Sequence, residues 1–143
     1  MHKPILVIAL LTLIAAPGCA AGGETSTPQE ATEVSINEEF VLGLGETADV
    51  VGEEMLVTFA NVVSDNRCPE GAQCIEAGEI VCLLEIHRGG TIDSLSVTER
   101  GLFPDQSIEY LDYVIVFHVT PYPEMGKEIL PGDYRLRLTF RLA

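Results

Sequence analysis

At the end of the chain Tyr134, Leu136, Leu138, Phe140 and Leu142 alternate with Arg135, Arg137, Thr139 and Arg141. Side chains along a strand point to opposite faces with a period of two, so this pattern predicts a strand with the first set inward and three arginines outward. The same alternation predicts strands over residues 55–63, 79–88, 91–98 and 113–119, with weaker ones over 39–44 and 47–51. Gly89-Gly90 falls between two of these runs and reads as a tight hairpin turn. Pro104 and Asp105 mark a loop, after which residues 107–111 could form one helical turn. No sustained helical period and no internal repeat is visible. Six to eight short strands at such spacing predict an all-β fold, a single antiparallel β-sandwich, immunoglobulin-like in general shape, rather than a closed barrel.

The N-terminal apolar run is of another kind. Residues 5–16 are continuously apolar, yet a spanning helix needs about 20 such residues, so the run fits a secretory signal with Lys3 as its positive end. Ala16, Pro17 and Gly18 lead into Cys19, the pattern of a bacterial lipoprotein signal. Cleavage over residues 1–18 leaves Cys19 as the first residue, and acylating its thiol contributes about 0.8 kcal/mol of membrane affinity per buried CH₂. The expected location is the cell envelope, lipid-anchored and facing the periplasm or exterior; Ala20 suits outer-membrane sorting if the source has two membranes. The alternative is an ordinary signal cut near Ala20 or Ala21, which releases a soluble secreted protein. Residues 19–35 are rich in Gly, Ser, Thr, Pro and Glu and are expected to form a flexible tether spanning roughly 20–25 Å. Residues 36–143 remain as one domain, long enough to hold a single core.

Charge narrows the partners. The whole chain has 8 Lys+Arg against 22 Asp+Glu, a net charge of −14, and loss of Lys3 with the signal takes it to −15. Nucleic acid and anionic lipid head groups are therefore not the expected partners, and the N-terminal lipid is the expected contact with the membrane. With no Trp and 6% aromatic residues the chain also lacks a stacking platform for sugars.

Three cysteines lie in the domain, and outside the cytoplasm two of them should pair. Cys68 and Cys74 are the better couple, because both sit in a loop rich in turn formers (Asp65, Asn66, Pro69, Gly71) that can reach the ~5.5 Å Cα separation a disulfide needs. Cys82, among Ile80, Leu84 and Ile86, reads as a small buried hydrophobe; the competing reading is a third thiol that exchanges with the disulfide. Arg67 beside Asp65 suggests a local ion pair, or a guanidinium bonding loop carbonyls, that orients the loop. A sharper reading has Arg67, Glu70, Gln73 and Glu76 projecting from the stapled loop to contact a partner protein in the envelope or outside the cell, as protease inhibitors do.

The run Asp65, Asn66, Arg67, Cys68, Pro69, followed by Cys74, Ile75, Glu76, Ala77 and Gly78, resembles a bacterial secreted and lipoprotein family of unassigned function. Its motif is Asp-Ser-Arg-Cys-Pro, four residues, then Cys, an aliphatic residue, Trp, a variable residue and Gly. The resemblance extends to an apolar strand before the motif, to Tyr122-Pro123 and to the closing strand led by Tyr134. This chain departs at Asn66, where Ser is usual, and at Glu76, where Trp is usual.

Other chemistry finds little purchase. A transition-metal site would draw on Cys82, Glu85, His87 and His118, but Cys82 and His87 face opposite sides of a regular strand and Glu85 with His87 supplies only two ligands. No acidic run has calcium-loop spacing, no serine has a nucleophile-elbow setting, and carboxylate pairs chosen from 22 acids carry no information. The expectation is a non-catalytic interaction or structural module without cofactor or metal, with a protease-inhibitor-like binder or a thiol- or copper-handling protein as alternatives.

Overall fold

The computed structural model describes residues 30–101 and 105–143. The signal segment, Cys19 and most of the expected tether lie outside the described residues. Among the described residues nine strands follow in chain order: β1 (Thr32–Val34), β2 (Glu39–Gly43), β3 (Thr47–Val50), β4 (Met55–Asp65), β5 (Glu79–Arg88), β6 (Thr91–Arg100), β7 (Gln106–Tyr110), β8 (Tyr113–Thr120) and β9 (Arg135–Leu142). They form a five-stranded sheet in the order β1-β3-β4-β5-β6 and a four-stranded sheet in the order β2-β9-β8-β7. Every pairing is antiparallel except β1 with β3, which is parallel.

Alternation builds the core. Met55, Val57 and Phe59 of β4 and Ile80, Cys82, Leu84 and Ile86 of β5 face Leu136, Leu138 and Phe140 of β9 and Ile115, Phe117 and Val119 of β8, all buried. Burying each large apolar side chain contributes about 1.5–3 kcal/mol, so this layer is the main source of stability. Within the smaller sheet Phe140 stacks on Phe40 and meets Tyr113 edge-on, both at 6.2 Å between ring centroids. Gly89 and Gly90, with φ of 54° and 82°, form the two-residue turn between β5 and β6.

Four expectations are corrected. Residues 32–34, expected within the flexible tether, form a strand instead: Thr32–Val34 pairs with β3 and Val34 buries itself in the core. Residues 107–111 make no helical turn: β7 pairs with β8 from Gln106 to Tyr110, which puts Ile108 opposite Ile115. These two short elements raise the strand number to nine, above the expected six to eight. Leu142 does not join the inward row of β9, since it sits at the open end of the sheet and is 65% exposed.

Candidate functional site

Two irregularities in β4 set up the end of the sandwich that carries the motif. The register against β5 slips between Phe59 and Asn61 and again between Val62 and Ser64, so Ala60 and Val63 are extra residues. One bulge reverses which face a residue takes, and a second restores it. Val62 thus faces inward opposite Cys82, and Asp65 faces inward opposite Ile80. Two more polar residues enter the interior here: Arg67, 3% exposed, and Glu99, 1% exposed, opposite Ile80 on β6.

Asp65 and Arg67 form a two-pronged ion pair, with Nε to Oδ1 at 2.8 Å and Nη2 to Oδ2 at 2.6 Å. The same guanidinium donates to the carbonyls of Val119, at 3.2 Å, and Pro121, at 3.0 Å, and it lies 5.1 Å from the centroid of the Tyr122 ring. Tyr134 donates its hydroxyl to Asp65 Oδ2 at 3.1 Å. From the other side Glu99 accepts the Val119 N–H at 2.8 Å and has His118 Nδ1 at 3.1 Å. Arg67 therefore fastens the larger sheet to β8 and the segment after it, across the sandwich. Among the described residues no buried side-chain nitrogen or oxygen lacks a hydrogen-bond partner, the condition under which polar burial is tolerated.

Electrostatics follow the geometry. Burial alone raises the Asp65 pKa, but the Arg67 hydrogen bonds and charge, with help from Tyr134, hold it below the usual carboxylate value. Burial and the Asp65 charge push the Tyr134 phenol up to about 12. Cys82, beneath the same cluster, has its thiol pushed up to about 12 by burial, which keeps it protonated and inert. We expect Cys82 to stay unmodified by iodoacetamide at pH 8 in the native protein and to react fully in denaturant, as intact-mass measurement will read; native labelling within minutes would contradict its burial.

The stapled loop rests on this cluster. Cys68 and Cys74 are bonded with Cα atoms 5.9 Å apart, as the loop argument predicts. The β4–β5 ladder continues into the loop through Asn66 N to Glu79 O at 2.9 Å and Cys68 N to Ala77 O at 2.7 Å. Asn66, the first departure from the resembled motif, accepts the Glu79 N–H with its side-chain oxygen at 2.7 Å. Glu70 binds the neighbouring loop by backbone, its N–H to Pro123 O at 2.8 Å and its C=O from Met125 N at 3.0 Å. Removing the disulfide as Cys68→Ser/Cys74→Ser is expected to cost about 2 kcal/mol, because closing so small a ring removes little chain entropy. Urea unfolding checks this, with an unchanged slope expected.

Arg67 does not project from the loop as the partner-binding reading requires; it is consumed in the clamp beneath. Glu70, Gln73 and Glu76 are exposed around the loop and are brought together there. The residue that sequence reasoning missed is Ile75, whose exposure of 105% leaves an aliphatic side chain wholly in water, with Met125 of the adjoining loop 66% exposed. Its place between Cys74 and Glu76 was the available signal. The metal-ligand set does not converge: His87 lies on the outer face of the larger sheet opposite Leu56, while His118 belongs to the smaller sheet and Cys82 faces the core. Among the described residues no three His, Cys, Asp or Glu side chains are grouped to hold a metal ion. Comparison of the chain with protein-family models, curated proteins and solved structures gave no match.

Proposed function

We propose that this chain is an exported lipoprotein, anchored through Cys19, whose sandwich presents the 68–77 loop to a protein partner at the cell envelope and performs no catalysis. The observation that carries the reading is Ile75, an aliphatic side chain fully in solvent on a loop held by a disulfide, a buried ion pair at its base and backbone hydrogen bonds. A loop already ordered loses little entropy on binding, and covering Ile75 contributes about 1.5–3 kcal/mol. Glu70, Gln73 and Glu76 supply a polar, acidic rim around that anchor. Kinship with the secreted and lipoprotein family of the Asp-Ser-Arg-Cys-Pro motif is part of the same proposal. It is supported by the structural work that Asp65, Arg67, Cys68, Cys74 and Gly78 each perform at this end of the fold.

The test uses the intact chain in its native membrane, with a photo-crosslinking residue placed at position 75 or, as control, at Gly45. The reading expects a discrete adduct from position 75 that is lost in the Cys68→Ser/Cys74→Ser variant and absent from position 45. Equal or no adducts from the two positions would overturn it. Mass spectrometry of the mature N-terminal peptide tests the anchor separately, with a diacylated Cys19 expected.

A further inference from the structure

A second surface runs along β6, whose C-terminal end meets the base of the stapled loop through Gly101 N to Gly78 O. β6 ends its sheet, and among the described residues no strand pairs with its outer edge. The other three edge strands are short, three residues in β1 and five each in β2 and β7, whereas β6 runs for ten. Natural edges are usually blunted by proline, lysine, a bulge or short length. β6 has no proline, lysine or bulge, its register with β5 being unbroken from Glu79↔Arg100 to Arg88↔Thr91; its charged residues, Asp93, the inward-facing Glu99 and Arg100, lie toward its ends and leave residues 94–98 (Ser, Leu, Ser, Val, Thr) uncharged between them. Beside it, between the β6 and β7 edges, runs an open groove of about 290 Å³ lined by Ser96, Thr98, Ile108 and Phe117 among others. Leu95 and Ile108 on these two strands are only partly covered by the core.

Charge decides what can fill that edge. Glu85, opposite Ser94, Asp93 on β6 and Glu109 on β7 have no ion-pair partner among the described residues. A second copy would bring another chain of net charge −14 against the same carboxylates, and like charges on paired strands repel. We propose that the outer edge of β6 is a strand-addition site that takes an extended segment of a partner protein, apolar at alternate positions and carrying lysine or arginine. Main-chain hydrogen bonds supply the attachment, apolar side chains on one face cover Leu95 and Ile108, and cations on the other approach Glu85.

The experiment offers the full chain a displayed library of ten-residue peptides with Val, Ile or Thr at alternate positions and Lys, Arg, Glu or Ser between them. Selection is expected to enrich Lys and Arg over Glu, and the selected peptide should slow amide exchange of β6 while leaving β1 and β2 unchanged. Its N-methylated form should bind at least tenfold more weakly, as should the natural peptide to the Ser96→Lys variant, whose folding circular dichroism checks at this solvent-exposed site. No enrichment, protection elsewhere than β6, or equal binding of the N-methylated peptide would overturn the proposal. Protection of β6 without peptide would also overturn it, assigning the edge to a second copy if sedimentation shows a dimer and to residues 20–29 if their deletion removes the protection.

Discussion

Replacing Asp65 by alanine is expected to lower the unfolding free energy by about 3–5 kcal/mol, the range for leaving one member of a buried ion pair without its partner. The Arg67 side chain is fully buried and that of Asp65 is 11% exposed, so water cannot take over the lost interaction. In the variant the guanidinium keeps the carbonyls of Val119 and Pro121 and the Tyr122 ring, but no carboxylate is bonded to it, and Glu99 is left as the nearby negative charge that acts on it. For a domain of this size the melting temperature should fall by roughly 10 °C or more. A double variant, Asp65→Ala/Arg67→Met, separates the pair's own worth from the cost of orphaning a charge. Buried ion pairs exchanged for apolar residues often cost little, so this variant should be more stable than Asp65→Ala alone. Urea unfolding of the three proteins decides it, and an Asp65→Ala variant within 1 kcal/mol of the parent would refute the clamp.

The same cluster fixes how stability changes with pH. Asp65 titrates lower in the folded chain than in the unfolded one, so its contribution is complete above about pH 4 and is lost as pH falls through the folded value. At the other end, burial and the neighbouring carboxylates Asp93 and Asp65 raise the Tyr110 and Tyr134 phenols to about 12. A raised folded pKa stabilises below the unfolded value near 10 and loses that contribution as pH climbs toward 12. Urea midpoints against pH should fall at both extremes, and Asp65→Asn should flatten the acid side.

The architecture could be read from residue pattern because burial imposes a period of two wherever a strand has one dry face, and β4, β5, β8 and β9 each have one. β1 and β7 escaped that logic. β1 is three residues long, too short for a period to show, and β7 is an edge strand whose Ser107 and Glu109 leave few apolar positions to count. The disulfide followed from loop composition, but the burial of Arg67 did not, because it depends on acceptors that other elements bring to it. Cross-sheet partners such as Val119 and Pro121 are more than 50 positions away in sequence. No local pattern encodes them. Exposure of Ile75 was hidden for the opposite reason, since an aliphatic residue in sequence reads as core unless its loop is known to stand clear of the sandwich.

Alanine at Gly78 is expected to cost about 3–4 kcal/mol, although it adds a single carbon. A Cβ built there lies 2.0 Å from the Asn66 carbonyl oxygen and 3.0 Å from the Arg67 Cα, both parts of the backbone that cannot swing aside. The φ of +70° contributes a left-handed penalty of about 1–2 kcal/mol for any L side chain. Relieving the clash must move the 66–68 backbone away from 77–79, which weakens Asn66 N to Glu79 O, Cys68 N to Ala77 O and Gly101 N to Gly78 O. Each such bond is worth about 1 kcal/mol net. Gly90→Ala isolates the first term, since its φ of +82° is equally unsuited to alanine while nothing lies within 4 Å of the added carbon. Gly90→Ala should therefore lose only about 1–2 kcal/mol and leave the loop intact, whereas Gly78→Ala should also speed proteolysis between residues 68 and 77 in the reduced chain. Equal losses from the two variants would mean that backbone conformation, and not the close approach of two chains beneath the stapled loop, is what reserves position 78 for glycine.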